Sequence, residues 1–97
     1  MSLDIETELN LATSDTMVEQ VSYEIWATVV SCARAFGKVE VKIHGKTQRI
    51  FIAVHLRWWA KKVTKKIQDA WIYRAEQKVK DHVPRGWNAV IYYKKES

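Results

Sequence analysis

The first third of the chain shows one strand pattern followed by one helix pattern. From Leu3 to Leu11, apolar side chains alternate with acidic and polar ones, which predicts a strand with one buried face. From Val18 to Phe36, apolar residues recur at steps of three and four, which predicts a helix. We expect this helix to begin near Thr16 and to end at Gly37, because glycine suits the left-handed conformation after a last helical turn.

The segment from Lys38 to Val54 predicts a β-hairpin with its turn centred on Gly45-Lys46. Glycine at the first central position suits a type II′ turn, and this register places Val41 opposite Ile50. Moving the turn back by one residue would place Val41 opposite Gln48 and bury a polar group. The first register is therefore the prediction.

The stretch from Leu56 to Val83 predicts a long amphipathic helix with a basic outer face. Its apolar positions form two sectors, one that includes Leu56, Trp59 and Trp71 and one from Ile72 onward, displaced by roughly 100° on the helical period, and the pattern assigns Trp59 to the core. Arg74 and Lys78 stand where the first sector would have continued. A straight helix cannot bury both sectors against one flat surface. We therefore expect a kink or break between Ala70 and Tyr73, or else an unbroken helix whose wide apolar arc contacts two partners.

After a turn at Pro84-Arg85-Gly86, the segment from Asn88 to Tyr93 predicts a last strand, since it is rich in branched and aromatic residues. The order strand, helix, strand, strand, helix, strand predicts one α+β domain over residues 1–97. The expected fold is a ferredoxin-like sandwich, with a four-stranded antiparallel sheet and two helices on one face. If the first strand is a loose arm, the alternative is the KH-like order αββααβ, although the chain lacks the glycine-containing loop with which KH domains hold a nucleotide backbone.

Charge is distributed unevenly along this chain of 97 residues with a formal net charge of +5. Residues 1–24 hold six acidic and no basic residues, whereas the remainder holds all sixteen basic residues against five acidic ones. A basic face for a polyanion fits this polarity, and so does head-to-tail contact between copies. A lone cysteine, no signal-like start and no apolar stretch near the roughly twenty residues that span a bilayer predict a cytoplasmic protein without a membrane partner.

The inventory of reactive residues predicts a protein that is not an enzyme and has no metal or cofactor. The three histidines, His44, His55 and His82, are isolated from one another in sequence, without the spacing that places two ligands on one metal. Cys32 lies within an apolar helical stripe, and no glycine-rich phosphate loop is present. These features leave binding as the expected function.

The basic face of the long helix predicts a nucleic-acid interface, because Trp58 stands among cations where solvation alone would favour another charge. In this hypothesis the contacts are mainly to RNA or DNA phosphates, and sequence preference is weak. The alternative is a protein-interaction module, an inhibitor, adaptor or assembly subunit that binds an acidic surface. A homodimer through Phe51 and Tyr92 or Tyr93 is also predicted. The expected nucleic-acid contacts are Arg57, Trp58, Lys61, Lys62, Lys65, Lys66, Tyr73, Arg49 and Lys42.

Overall fold

The structure is a computed structural model that describes residues 3–8 and 15–94. Its strands and helices follow in the order β1 (Leu3–Glu8), α1 (Asp15–Cys32), β2 (Phe36–His44), β3 (Arg49–Leu56), α2 (Lys65–Val79) and β4 (Asn88–Tyr93). Short 3-10 helices at Ala60–Lys62 and Lys80–His82 flank α2. The predicted continuation of the first strand, residues 9–11, lies outside the described residues.

The sheet is mixed, so the prediction of a ferredoxin-like antiparallel sandwich is wrong. The centre of the sheet is the three-stranded unit β2-β3-β4, whose elements follow in the order helix, strand, strand, helix, strand. The backbone of β1 pairs with the outer edge of β2. β2 and β3 are antiparallel, whereas β3 and β4 are parallel, as are β1 and β2. Each helix connects two neighbouring strands, and such a crossover returns the chain to the same end of the sheet, which makes those neighbours parallel.

The KH-like alternative does not describe the structure either. It requires two helices between the second strand of its hairpin and its last strand, but between the corresponding β3 and β4 the chain has the single α-helix Lys65–Val79, with a 3-10 turn at each side. Residues Leu3–Glu8 pair with β2 over six positions and are not a loose arm. The features shared with that alternative are limited to the order of helix, hairpin, helix and strand.

The hairpin of β2 and β3 has the predicted faces but a register shifted by two residues. Ile43 lies opposite Ile50, and a four-residue loop from Gly45 to Gln48 replaces the predicted two-residue turn. The N–H of Gln48 donates to the carbonyl of Gly45 (3.3 Å), with Gln48 itself in the left-handed region at φ 53°. The predicted turn would have placed Ile43 opposite Gln48, whereas the longer loop buries Ile43 against Ile50.

The region predicted as one helix, Leu56–Val83, is divided near its beginning. Leu56 ends β3, and the chain is extended at Val63 and Thr64 before α2 begins at Lys65. The helix then continues unbroken through residues 70–73, so the predicted break is absent. α2 buries Ala75 and Val79 of the second apolar sector. Because the first sector is split between a strand, a turn and a helix, it never forms one stripe.

Helix α1 also ends earlier than predicted, at Cys32 and not at Gly37. Phe36 accordingly belongs to β2, where its side chain is buried, and its N–H donates to the carbonyl of Ala33 (3.2 Å). Gly37 has no positive φ. A β-carbon there would lie 3.2 Å from the carbonyl oxygen of His55, so the glycine permits close approach of β2 to β3.

The hydrophobic core lies between the two helices and one face of the sheet. α1 and α2 contact each other, α1 packs on β2, and α2 packs beside β4. Apolar residues of alternating positions fill this layer, with Ile25 and Val29 of α1 fully buried. The predicted last strand agrees with β4, and the predicted turn before it is present, with Gly86 at φ 87°. The core sheet residues are Val39, Val41, Ile43, Ile50, Ile52, Val54 and Ile91.

The opposite face of the sheet carries an ionic bridge across three strands. The carboxylate of Glu40 on β2 accepts from Nζ of Lys94 (3.1 Å), which follows β4, and lies 3.2 Å from Nζ of Lys38. His55 Nε2 lies 3.4 Å from the same carboxylate. Ala53 lies next to Glu40 on β3 and is only 1% exposed. Ala53 thus lies buried on the strand between the two ends of this bridge.

Candidate functional site

Six of the nine predicted contact residues lie close in sequence at the junction of β3 and α2, which we call the basic corner. The corner begins with a tight turn, in which the N–H of Ala60 donates to the carbonyl of Arg57 (2.9 Å). Because β3 has ended at Leu56, these side chains belong to a turn, a 3-10 helix and the first turn of α2. The basic corner consists of Arg57, Trp58, Lys61, Lys62, Lys65 and Lys66.

Arg57 fixes the position of the basic corner against the end of α1. Its backbone N–H donates to the carbonyl of Ala35 (2.9 Å), and its side-chain Nε donates to the carbonyl of Arg34 (2.8 Å). Trp58 follows directly and is 75% exposed. An indole held this far from the core loses the burial that normally stabilises an aromatic side chain. The structure therefore leaves Trp58 available to a partner.

The lysines of the basic corner add their charge to the positive end of α2. Lys65 and Lys66 occupy its first turn, where no acidic residue is present, and Thr64 makes no side-chain capping hydrogen bond. Lys61 and Lys62 precede them in the 3-10 helix, and all four are exposed. Cations near the N-terminus of a helix are unfavourable for helix stability, whereas an anion placed there is attracted. The corner thus has a local excess of positive potential.

The other three predicted contacts lie away from the basic corner. Tyr73 is exposed on α2, seven residues after Lys66 and about two helical turns along the axis. Asp69, an exposed carboxylate, stands between them in sequence. Lys42 and Arg49 project from the sheet face opposite the helices, because they alternate with the buried residues of β2 and β3. These two cations do not extend the corner.

A cleft of about 300 Å³ adjoins the basic corner, and we call it the Trp cleft. Trp59, which the apolar pattern placed in the core, lines it and is 41% exposed. Sequence reasoning missed this cleft, although the break in the apolar pattern at Arg74 was a signal for it. The Trp cleft is lined by Cys32, Ala33, Arg34, Ala35, Trp59, Trp71 and Arg74.

The thiol of Cys32 at the Trp cleft is suited to packing and not to nucleophilic chemistry. Its Sγ donates to the carbonyl of Thr28 (3.1 Å), and the residue is buried. Burial raises the pKa of the Cys32 thiol, although the positive charges of Lys78 and Arg74 act in the opposite direction. A raised pKa keeps the thiol protonated near neutral pH, and the protonated form is a poor nucleophile.

The histidines are dispersed over the described part of the chain. His44 packs edge-on against Phe51 at 5.0 Å between ring centroids, and His82 Nδ1 lies 3.6 Å from the carboxylate of Glu24. Among the side chains of residues 18–94, no group of three His, Cys, Asp or Glu is placed to hold a metal ion. Neither of the two α-helices in the described part of the chain combines the length and apolar character needed to cross a membrane.

A groove of about 390 Å³ lies on the opposite side of α2, beside β4, and we call it the β4 groove. Among the described residues, β4 pairs only with β3. The N–H of Asn88 donates to the carbonyl of Gln48, and the N–H of Lys94 donates to the carbonyl of Val54 (both 3.0 Å). Because successive residues of a strand direct their N–H and C=O groups to opposite sides, the backbone groups of Ala89, Ile91 and Tyr93 face the open edge. The β4 groove is lined by Glu76, Val79, Lys80, Val83, Pro84, Arg85, Gly86, Trp87, Asn88, Ala89 and Ile91.

Comparison with known proteins gave no match for this chain among protein-family models, curated proteins or solved structures. The basic corner, the Trp cleft and the β4 groove are therefore the features from which a function can be inferred.

Proposed function

We propose that the protein binds RNA or DNA through the basic corner, mainly by contacts to phosphates and with weak sequence preference. The observation that carries this proposal is the 75% exposure of Trp58 among five exposed cations. A cation-rich surface attracts the phosphate backbone, and an exposed indole stacks on an unpaired base. Lysines alone would account for a solvated surface, whereas tryptophan is enriched at binding interfaces.

The proposed surface is a corner where a turn meets a helix, in place of one continuous helix face. Arg57 and Trp58 are held by the turn that follows β3, while Lys65 and Lys66 are held by α2. Exposed amides at the beginning of α2 add donors for a phosphate oxygen. Contacts of this kind carry little sequence information, because every nucleotide presents the same phosphate.

The test is fluorescence anisotropy with short labelled single-stranded RNA, single-stranded DNA and duplex DNA over a range of salt. If Arg57, Lys61, Lys62, Lys65 and Lys66 each neutralise one phosphate, the log-log salt slope on single strands approaches about −3.5. The paired substitution Lys61→Ala and Lys65→Ala should weaken binding alike for all sequences and make the slope less steep by about 1 to 2.

Lys46→Ala provides the matched control, because Lys46 is an exposed lysine in the hairpin loop and outside the basic corner. It should change neither the affinity nor the slope by more than about twofold. Absence of binding to all three nucleic acids at low salt would remove the proposal. Equal weakening by Lys46→Ala and by the paired substitution would remove the assignment to the basic corner.

A protein partner is the second candidate function, and the open edge of β4 favours it. An extended segment can pair with such an edge while its alternate side chains enter the neighbouring groove. Apolar Val83, Ala89 and Ile91 line the β4 groove, and Lys80 and Arg85 add two cations against the single carboxylate of Glu76. The matching partner is an acidic extended segment with apolar residues at alternate positions.

A labelled peptide of alternating valine and glutamate tests this second candidate. Ala89→Pro removes one outward N–H of β4 and should weaken peptide binding about tenfold, while nucleic-acid binding stays unchanged. A peptide methylated on its backbone nitrogens should bind as weakly. Equal affinity of the methylated and unmethylated peptides would show that the open edge is not the site.

A further inference from the structure

We infer that the Trp cleft receives one unpaired base of the bound strand, so that the preferred ligand is single-stranded nucleic acid. This inference rests on the proposed function and adds a second, separate contact to it. Trp59 and Trp71 offer aromatic surface at the cleft, while Arg34 and Arg74 offer guanidinium groups. A flat aromatic ring attached to an anion is the ligand that matches both kinds of side chain.

The size of the Trp cleft favours a ring system over a small ion. Its volume of about 300 Å³ is at the lower end of the range for small-molecule sites. Cys32, Ala33 and Ala35 contribute small side chains, which leave room beside the indoles. The cleft lies between the end of α1 and the middle of α2, so rigid elements hold both sides.

The Trp cleft and the basic corner are continuous through Arg57. The two hydrogen bonds of Arg57 end on Arg34 and Ala35, which themselves line the cleft. Trp58 of the corner and Trp59 of the cleft are consecutive residues. A strand whose phosphates contact the corner therefore passes the mouth of the cleft, where Arg34 and Arg74 can meet the next phosphate.

Stacking in the cleft requires a base that is free of its partner strand. In a duplex the bases stack on one another, and extrusion of one costs a few kcal/mol. This cost is least for a base that is already single-stranded, and stacking on an aromatic side chain strengthens binding by about 5- to 150-fold per base. The Trp cleft thereby turns a phosphate-binding surface into one that selects for strand state.

The test compares a single-stranded DNA with a strand of equal length in which every base is replaced by an abasic site. Both strands carry the same phosphates, so the five cations of the basic corner would bind them equally, and any preference for the intact strand measures stacking on Trp58 and in the Trp cleft. We expect the intact strand to bind the unaltered protein at least about fivefold more tightly. Trp59→Leu keeps an apolar side chain and should remove most of this difference, whereas Trp58→Leu should remove only the smaller part. Circular dichroism verifies that both variants are folded.

The outcomes separate the inference from the proposed function. If neither strand binds, the proposed function fails. If both bind equally and the Lys61→Ala and Lys65→Ala pair weakens both, the proposed function stands and the inference is overturned. If the preference for the intact strand is lost in Trp58→Leu and kept in Trp59→Leu, the base stacks on the corner and the inference is likewise overturned.

Discussion

Replacing Glu40 by glutamine should destabilise the protein at neutral pH and flatten its response to acid. Burial by itself raises the pKa of Glu40, but hydrogen bonds and charges from Lys94 and Lys38 outweigh it and hold the pKa at about 2, against 4.5 for an ordinary glutamate. Glutamine preserves the shape of the side chain and removes the charge. The bridge between β2 and the end of β4 is thereby weakened without creating a cavity.

The size of the effect follows from the difference between the two pKa values. A shift from 4.5 to about 2 corresponds to about 3 kcal/mol if it is fully expressed. The side chains of Lys38 and Lys94 are 44% and 43% exposed, so solvent screens part of their attraction. We therefore expect Glu40→Gln to lower the free energy of unfolding by about 1 to 2 kcal/mol at pH 7.

The pH dependence has a definite sign. Because the folded pKa of Glu40 is lowered, its contribution is complete above about pH 4.5 and is lost as the pH falls toward 2. Urea unfolding followed by tryptophan fluorescence at pH 7, 4 and 2.5 should show the two proteins converging as the pH falls. Glu19→Gln, at an exposed position of α1, provides the control and should change stability by less than about 0.5 kcal/mol. A constant difference between Glu40→Gln and the unaltered protein across this range would refute the reasoning.

Three further predictions concern stability and assembly. Burial and the nearby charge of Asp69 raise the pKa of Tyr93 to about 12, and its hydroxyl donates to the carbonyl of Gln68, so the free energy of unfolding should fall between about pH 10 and 12. Tyr93→Phe should lower the free energy of unfolding by about 1 kcal/mol at pH 7, and urea unfolding of this variant should show no such alkaline step. Ser22 is buried and its hydroxyl has no hydrogen-bond partner among the described residues, so Ser22→Ala should leave the free energy of unfolding unchanged or raise it by about 1 kcal/mol. A decrease of more than about 1 kcal/mol in urea unfolding would contradict this explanation. The homodimer stays a prediction: Tyr92 is exposed on the open sheet face, and light scattering at micromolar concentration should give twice the monomer mass, with Tyr92→Glu returning it to the monomer.

The sequence was sufficient to predict faces of strands but not their pairing. Alternation assigned Val41 and Ile50 correctly to the buried face, because a shift of two residues leaves every side chain on the same side. The same invariance explains why the register was wrong. Parallel pairing of β3 and β4 depends on contacts between residues far apart in sequence, and the local alternation of apolar and polar residues contains no information on such contacts.

The candidate site was predicted in part for a similar reason. Trp58 was identified because an aromatic among cations breaks the local pattern. Trp59 was placed in the core because its spacing from Leu56 and Val63 matches a helical stripe. In the structure Leu56 ends a strand, Trp59 lies in a turn and Val63 lies in the linker before α2. Only the return of the chain beside α1 brings Trp59 near Arg34, and no window of sequence contains both.

The parallel pairing of β3 and β4 has a consequence for the order in which the protein folds. The β2-β3 hairpin closes over a four-residue loop, whereas β4 can join β3 only after the whole connection from Arg57 to Trp87 has been brought back across the sheet. Glu40 and Lys94 are 54 positions apart, so we expect their bridge to form only after β4 has docked. We expect the hairpin to be structured in the folding transition state and β4 to dock afterwards, so that substitutions in β4 accelerate unfolding while leaving the folding rate almost unchanged.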